Sequence, residues 1–106
     1  MERKYYKLVD RVPVLTDMDD AFEHFYDRQV CLDVDVVDYA PVDVSTVFLT
    51  VDHNHFPELN DGLPILFETM VFGGEHNEFC VRCSTYEQAV AQHQRTVSMV
   101  KGEENA

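Results

Sequence analysis

A chain of 106 residues, 45% hydrophobic and 11% aromatic, suits one domain with a modest core and is too apolar to remain disordered. Its formal net charge is −12, from 8 basic and 20 acidic residues. That field repels nucleic acid and acidic membranes and attracts basic protein surfaces.

The acids are uneven: between Asp10 and Asp61 stand 13 of them, against Arg11 and Arg28. No run approaches the roughly 20 apolar residues that span a bilayer. The opening MERKYYKLVD has no apolar stretch of a secretory signal after it. Three cysteines, Cys31, Cys80 and Cys83, form no paired disulfide framework. A reducing cytoplasm is the expected setting.

Residues 4–9 and 12–15 read as two short extended pieces, with Pro13 holding Val12 out of helical geometry. A helix is expected over residues 16–28. Thr16 is its candidate N-cap, Asp17, Asp19 and Asp20 favour the positive end of its dipole, and Met18, Phe22, Phe25 and Tyr26 form its apolar face. From Val30 the period becomes two. Val30, Leu32, Val34 and Val36 are expected to be buried, with Asp33 and Asp35 on the outward face. A turn over residues 39–43 returns the chain through a central strand at 45–51.

The loop at residues 52–63 contains Pro57 and Asn60-Asp61-Gly62, all breakers. Residues 65–72 form the next strand, closed by Gly73-Gly74 in a hairpin turn, and residues 79–82 the last. Ser84-Thr85-Tyr86-Glu87 matches a capping box for a helix over residues 85–100, with Tyr86, Ala89, Val90, His93, Val97 and Val100 on one face. The expectation is a single α+β domain over residues 1–101, an antiparallel sheet of four to six strands with two helices, and a frayed tail at 102–106.

Three constellations bear chemistry. His53-x-His55 with Cys80-x-x-Cys83 has the donor set of tetrahedral zinc. Cysteines three apart on a strand point to opposite faces, however, so no metal is assigned. Asp52, His53 and His55 with Glu68 are candidate ligand-binding residues, a loop of polar groups beside a carboxylate inside an apolar strand. The competing reading has His53 capping a strand end and Glu68 bonding backbone amides. No nucleophile with elbow glycines accompanies them, so no catalytic residue and no enzyme activity is assigned. Asp33, Asp35, Asp38 and Asp43 are candidate partner-binding residues. Alternate carboxylates about 6–7 Å apart on one strand face approach the spacing of a phosphate backbone, and the competing reading is an edge strand blunted by charge.

The segments Ser45-Thr46-Val47-Phe48-Leu49, Asp52-His53 and Leu66-Phe67-Glu68-Thr69-Met70-Val71-Phe72-Gly73-Gly74 resemble a family of small tailed-bacteriophage proteins. That family carries STVFLGLDH, a Gly/Pro-rich loop and PPxLFETMVFGG. Tyr86-Glu87-Gln88-Ala89 with His93, and Asp27-Arg28-Gln29-Val30, continue the similarity. Thr50 stands in place of a glycine, and His55-Phe56-Pro57 in place of the glycine-rich turn. The resemblance carries no site residues. It implies a phage accessory protein in the infected bacterial cytoplasm, acting on host machinery or host defences.

Together these readings favour an inhibitory protein with no cofactor. It would dock acidic residues on a basic host protein, in host takeover or counter-defence, as a DNA mimic does. Two rivals stand beside it. One is a sponge for a nucleotide immune signal at Asp52, His53, His55 and Glu68, with oligomerisation supplying positive charge. The other is a small metal-dependent enzyme.

Overall fold

The computed structural model describes residues 3–54 and 60–102. Strands β1 (Tyr5–Val9) and β2 (Val12–Thr16) pair antiparallel as a two-stranded hairpin. A six-residue helix α1 (Met18–Glu23) follows, then a 3-10 turn at Phe25–Asp27. Strands β3 (Gln29–Val37), β4 (Ala40–Phe48), β5 (Phe67–Phe72) and β6 (Cys80–Cys83) form an antiparallel sheet in the order β3-β4-β5-β6. Helix α2 (Tyr86–Lys101) closes the chain. The protein is α+β, with six antiparallel strands in two sheets and two helices among the described residues. Among the described residues no helix is long and apolar enough to cross a membrane.

Helix α2 covers one face of the four-stranded sheet. Thr85 caps it, accepting from Gln88 N at 3.1 Å while Gln88 Oε1 accepts from Thr85 N. The capping box therefore sits one residue later than expected, because Gln88 reaches back where Glu87 does not. Gly102, in the left-handed conformation at φ 72°, ends the helix. It belongs to the cap and not to a frayed tail; residues 103–106 lie outside the described residues.

Under α2 the sheet's inner face has three bands. One apolar cluster holds Phe48, Leu66, Phe67 and Ala89, joined by Tyr6, Leu8, Val30 and Tyr86. The other holds Val42, Val44 and Val71, with Val37, Val97 and Val100 packed on it. Between them lies a polar band of buried Thr46, Thr69, Gln92, His93 and Thr96. The β1–β2 hairpin joins this same side. Tyr6 N donates to Thr50 O at 2.8 Å, and Tyr6 and Leu8 lie on the first cluster.

Three expectations change. The alternation in β3 is inverted: a bulge between Gln29 and Cys31 seats Val30 against the core and shifts the parity. Leu32, Val34 and Val36 then face outward at 54%, 63% and 66% exposure, while Asp33 and Asp35 share the α2 side with their partners Val44 and Val42. A one-residue slip moves a whole strand face in this way. The turn is two residues, Asp38-Tyr39, both at positive φ, and β4 begins at Ala40, so Pro41, Val42 and Asp43 are strand residues. Helix α1 is short. Asp17 caps it, accepting from Asp20 N, whereas Thr16 ends β2 and donates its hydroxyl to Asp20 at 2.6 Å. Its apolar face is not buried, since only Ala21 reaches the interior.

The glycine pair after β5 has a steric reason. A Cβ on Gly73 (φ 99°) would stand 2.7 Å from Pro41 O, and one on Gly74 (φ 72°) 2.9 Å from a Val42 methyl. Both glycines let the β5–β6 connection pass against the start of β4.

Candidate functional site

Asp52 and His53 close the neck of the long loop. Asp52 Oδ1 accepts from Asn54 N at 2.8 Å and from Ile65 N at 2.9 Å. His53 N donates to Ile65 O, and its Nδ1–H donates to Val51 O at 2.7 Å. Both residues therefore hold loop geometry. His55 lies outside the described residues. Glu68 points to the other side of the sheet, opposite α2, where its carboxylate takes Arg82 Nε at 2.9 Å from the adjacent strand. It bonds an arginine and not backbone amides. Among the described residues no contact brings Glu68 to Asp52 or His53. A cleft of about 120 Å³ beside Asp33 and Lys101, and one of about 310 Å³ beside His76 and Met99, are lined without any of the three.

The four aspartates do not form a row. Asp33 reaches His93 Nε2 at 2.7 Å, and Asp35 lies 4.0 Å from Lys101 Nζ. Asp38 is in the hairpin tip, and Asp43, paired with Val34, is on the opposite face of the sheet. No single surface carries their charge at phosphate spacing.

The cysteines also separate. Cys80 pairs with Met70 on the open face, and Cys83 pairs with Phe67 on the core side. Burial pushes the Cys83 thiol up to about 11. Among the described residues no group of three His, Cys, Asp or Glu side chains is placed to hold a metal ion.

The polar band is a constellation that sequence reasoning missed. Gln92 Nε2 donates to Thr69 Oγ1 at 3.0 Å, Thr69 and Thr46 hydroxyls meet at 2.6 Å, and Thr46 Oγ1 lies 2.7 Å from His93 Nδ1. One direction of donation satisfies every member: Gln92 to Thr69, Thr69 to Thr46, Thr46 to Nδ1, and Nε2–H to Asp33. Carboxylate, imidazole and hydroxyl have the connectivity of an acyl-transfer triad. Thr46 and His93 are both 0% exposed, however, and the Thr46 oxygen is shared with Thr69. A nucleophile with no approach to substrate does not catalyse, so the band is a positioning network of the core.

A second feature lies on the surface of α1. Tyr5, Phe22, Phe25 and Tyr26 form a chain of edge-on rings with successive centroids 6.3, 6.2 and 6.2 Å apart. Arg28 stacks over Phe25 at 3.6 Å. Met18 and Phe22 are 48% exposed and Tyr26 is 94% exposed. Asp17, Asp19, Glu23 and Asp27 are interleaved with these residues along the same short segment. Exposed aromatics in such a cluster are the side chains that anchor protein interfaces. The spacing of Met18, Phe22, Phe25 and Tyr26 was the available signal, read in sequence as a face for the core. Comparison with known proteins finds no matching family model, no matching curated protein and no matching solved structure.

Proposed function

We propose that this chain is a phage accessory protein of the bacterial cytoplasm that binds and inhibits a host protein. Its docking surface is the α1 segment in place of the four aspartates. The observation that carries this reading is the exposed Met18, Phe22, Phe25 and Tyr26 cluster interleaved with Asp17, Asp19, Glu23 and Asp27. Rings fill apolar pockets while carboxylates meet a basic rim, a combination that gives both affinity and fast, steered association. The −12 charge supports the same partner chemistry. The phage setting rests on the resemblance of residues 45–49 and 66–74. A nucleotide sponge finds less support, because Asp52 is engaged by loop amides and Glu68 by Arg82.

The test is capture from bacterial lysate at about 50 and about 500 mM salt, using the full chain and a Tyr26→Ser/Glu23→Lys/Asp27→Lys variant. The expected result is a host protein with a basic surface, held by the parent at low salt and released by salt. The variant should lose it under both conditions. Capture that ignores both salt and the three substitutions overturns this docking surface.

A further inference from the structure

The sheet face opposite α2 has no layer upon it among the described residues, and we infer that a second copy of this chain covers it. After the bulge, β3 presents Leu32, Val34 and Val36 there, and β5 adds Met70 and Phe72, the last half exposed. Strand pairing places Asp43, Glu68 and Arg82 on the same face. Glu68 and Arg82 neutralise each other at 2.9 Å, which leaves Asp43 as the unpaired charge among the described strand residues of this face. A face with one unpaired carboxylate among its described strand residues, on a chain of −12, offers little to a basic partner. It also sets little charge of one sign against a second copy of itself.

Geometry favours the same occupant. A two-fold contact requires a surface that complements itself, and apolar sheet faces do so by stacking about 10 Å apart with strands nearly aligned. With about 3.3 Å per residue and about 4.8 Å between strands, the four strands offer roughly 450 Å² in projection, so two stacked copies bury on the order of 1,000 Å², the size from which a specific interface holds. The β1–β2 hairpin packs on the α2 side through Tyr6 and Leu8. The dimer therefore leaves α1 free, and this inference stands apart from the proposed host contact.

Sedimentation of the full chain over roughly 1–300 µM, with sodium chloride raised from about 50 to about 500 mM, tests it. The expected species has twice the 12.3 kDa chain mass. Its dissociation constant should fall as salt rises, because the opposing field is like-charged; a contact with a basic partner has the opposite sign. Val34→Lys should weaken association by about 100-fold, since each substitution acts on both copies. Leu15→Lys, on the hairpin and 61% exposed, should leave it unchanged. The unsubstituted protein gives a second readout: a soluble paramagnetic probe should relax the Val34 and Val36 methyls less than those of Val12, which is 58% exposed. A monomer throughout the range overturns the inference. So does a dimer indifferent to Val34→Lys, or Val34 and Val36 methyls as accessible as those of Val12, as when another edge or another face makes the contact.

Discussion

Thr46 Oγ1 serves two buried partners at once, His93 Nδ1 at 2.7 Å and Thr69 Oγ1 at 2.6 Å. Thr46→Val keeps the shape and deletes that oxygen. It strands a ring nitrogen and a hydroxyl in a layer where water has no access, and a buried unsatisfied group costs roughly 1–3 kcal/mol. Urea unfolding should report a loss of that size; a change below about 0.5 kcal/mol would show that the band relaxes around the missing atom. The thiols make an independent check on burial. Cys83, raised to about 11 mainly by burial, donates weakly to Thr85 O at 3.8 Å, while Cys80 is exposed. A raised pKa keeps the thiol protonated through neutral pH, and the reactive thiolate fraction grows about tenfold per pH unit below that value. Iodoacetamide at pH 8 should therefore modify Cys80 well before Cys83, and the Cys83 rate should keep climbing toward pH 11. Equal rates at pH 8, read by peptide mass spectrometry, would contradict the burial of Cys83.

At the scale of elements, the hairpin tips carry the backbone strain. Asp38 and Tyr39 both adopt positive φ, 52° and 67°, the pattern of a two-residue turn that Asn-Gly fits with least strain. Tyr39 is fully exposed, at 102%, so its replacement loses little packing. Asp38→Asn/Tyr39→Gly should stabilise the domain by about 1 kcal/mol, raising Tm by about 4–8 °C. A lower Tm would mean that Tyr39 makes contacts worth more than the strain. The same hairpin shows what periodicity can and cannot reveal. The order of strands and helices is legible from Pro, Gly and Asp punctuation and from the change of period at residue 30. The inward face of β3 is not, because a bulge at Val30 changes no residue type while reversing every side chain after it. Pro41 and Asp43 resemble turn residues, yet the β4–β5 ladder reaches only to Asp43, so Pro41 needs no donor on that side. The polar band escapes sequence reading for another reason. Thr46 and Thr69 are ordinary strand residues until His93, 47 positions from Thr46, is folded onto them.

Across the whole molecule, the distribution of charge separates acids that serve the fold from acids that do not. Asp17 caps α1, and Asp20 joins Lys7 at 2.7 Å and then Thr16, contacts that lower its pKa. Both sit at the helix's positive end, as does Asp19. Glu23 closes α1 and Asp27 closes the 3-10 turn, with no basic residue in either last turn. There a carboxylate meets the negative end of the peptide dipoles, and it adds to a chain already at −12. Folding alone gives no reason for those two acids, whereas a basic partner does. Glu23→Gln/Asp27→Asn should therefore raise monomer stability by about 0.3–1 kcal/mol while weakening host capture, a stability–function trade-off confined to one segment. Asp17→Asn is the control: it retains a capping side chain and removes one charge, so stability should hold and capture should weaken only slightly. Thermal unfolding and low-salt capture, run in parallel on the three proteins, separate the two roles. If Glu23→Gln/Asp27→Asn destabilises the chain, those carboxylates belong to the fold. If it stabilises the chain and leaves capture intact, the partner must meet a different part of the acidic surface.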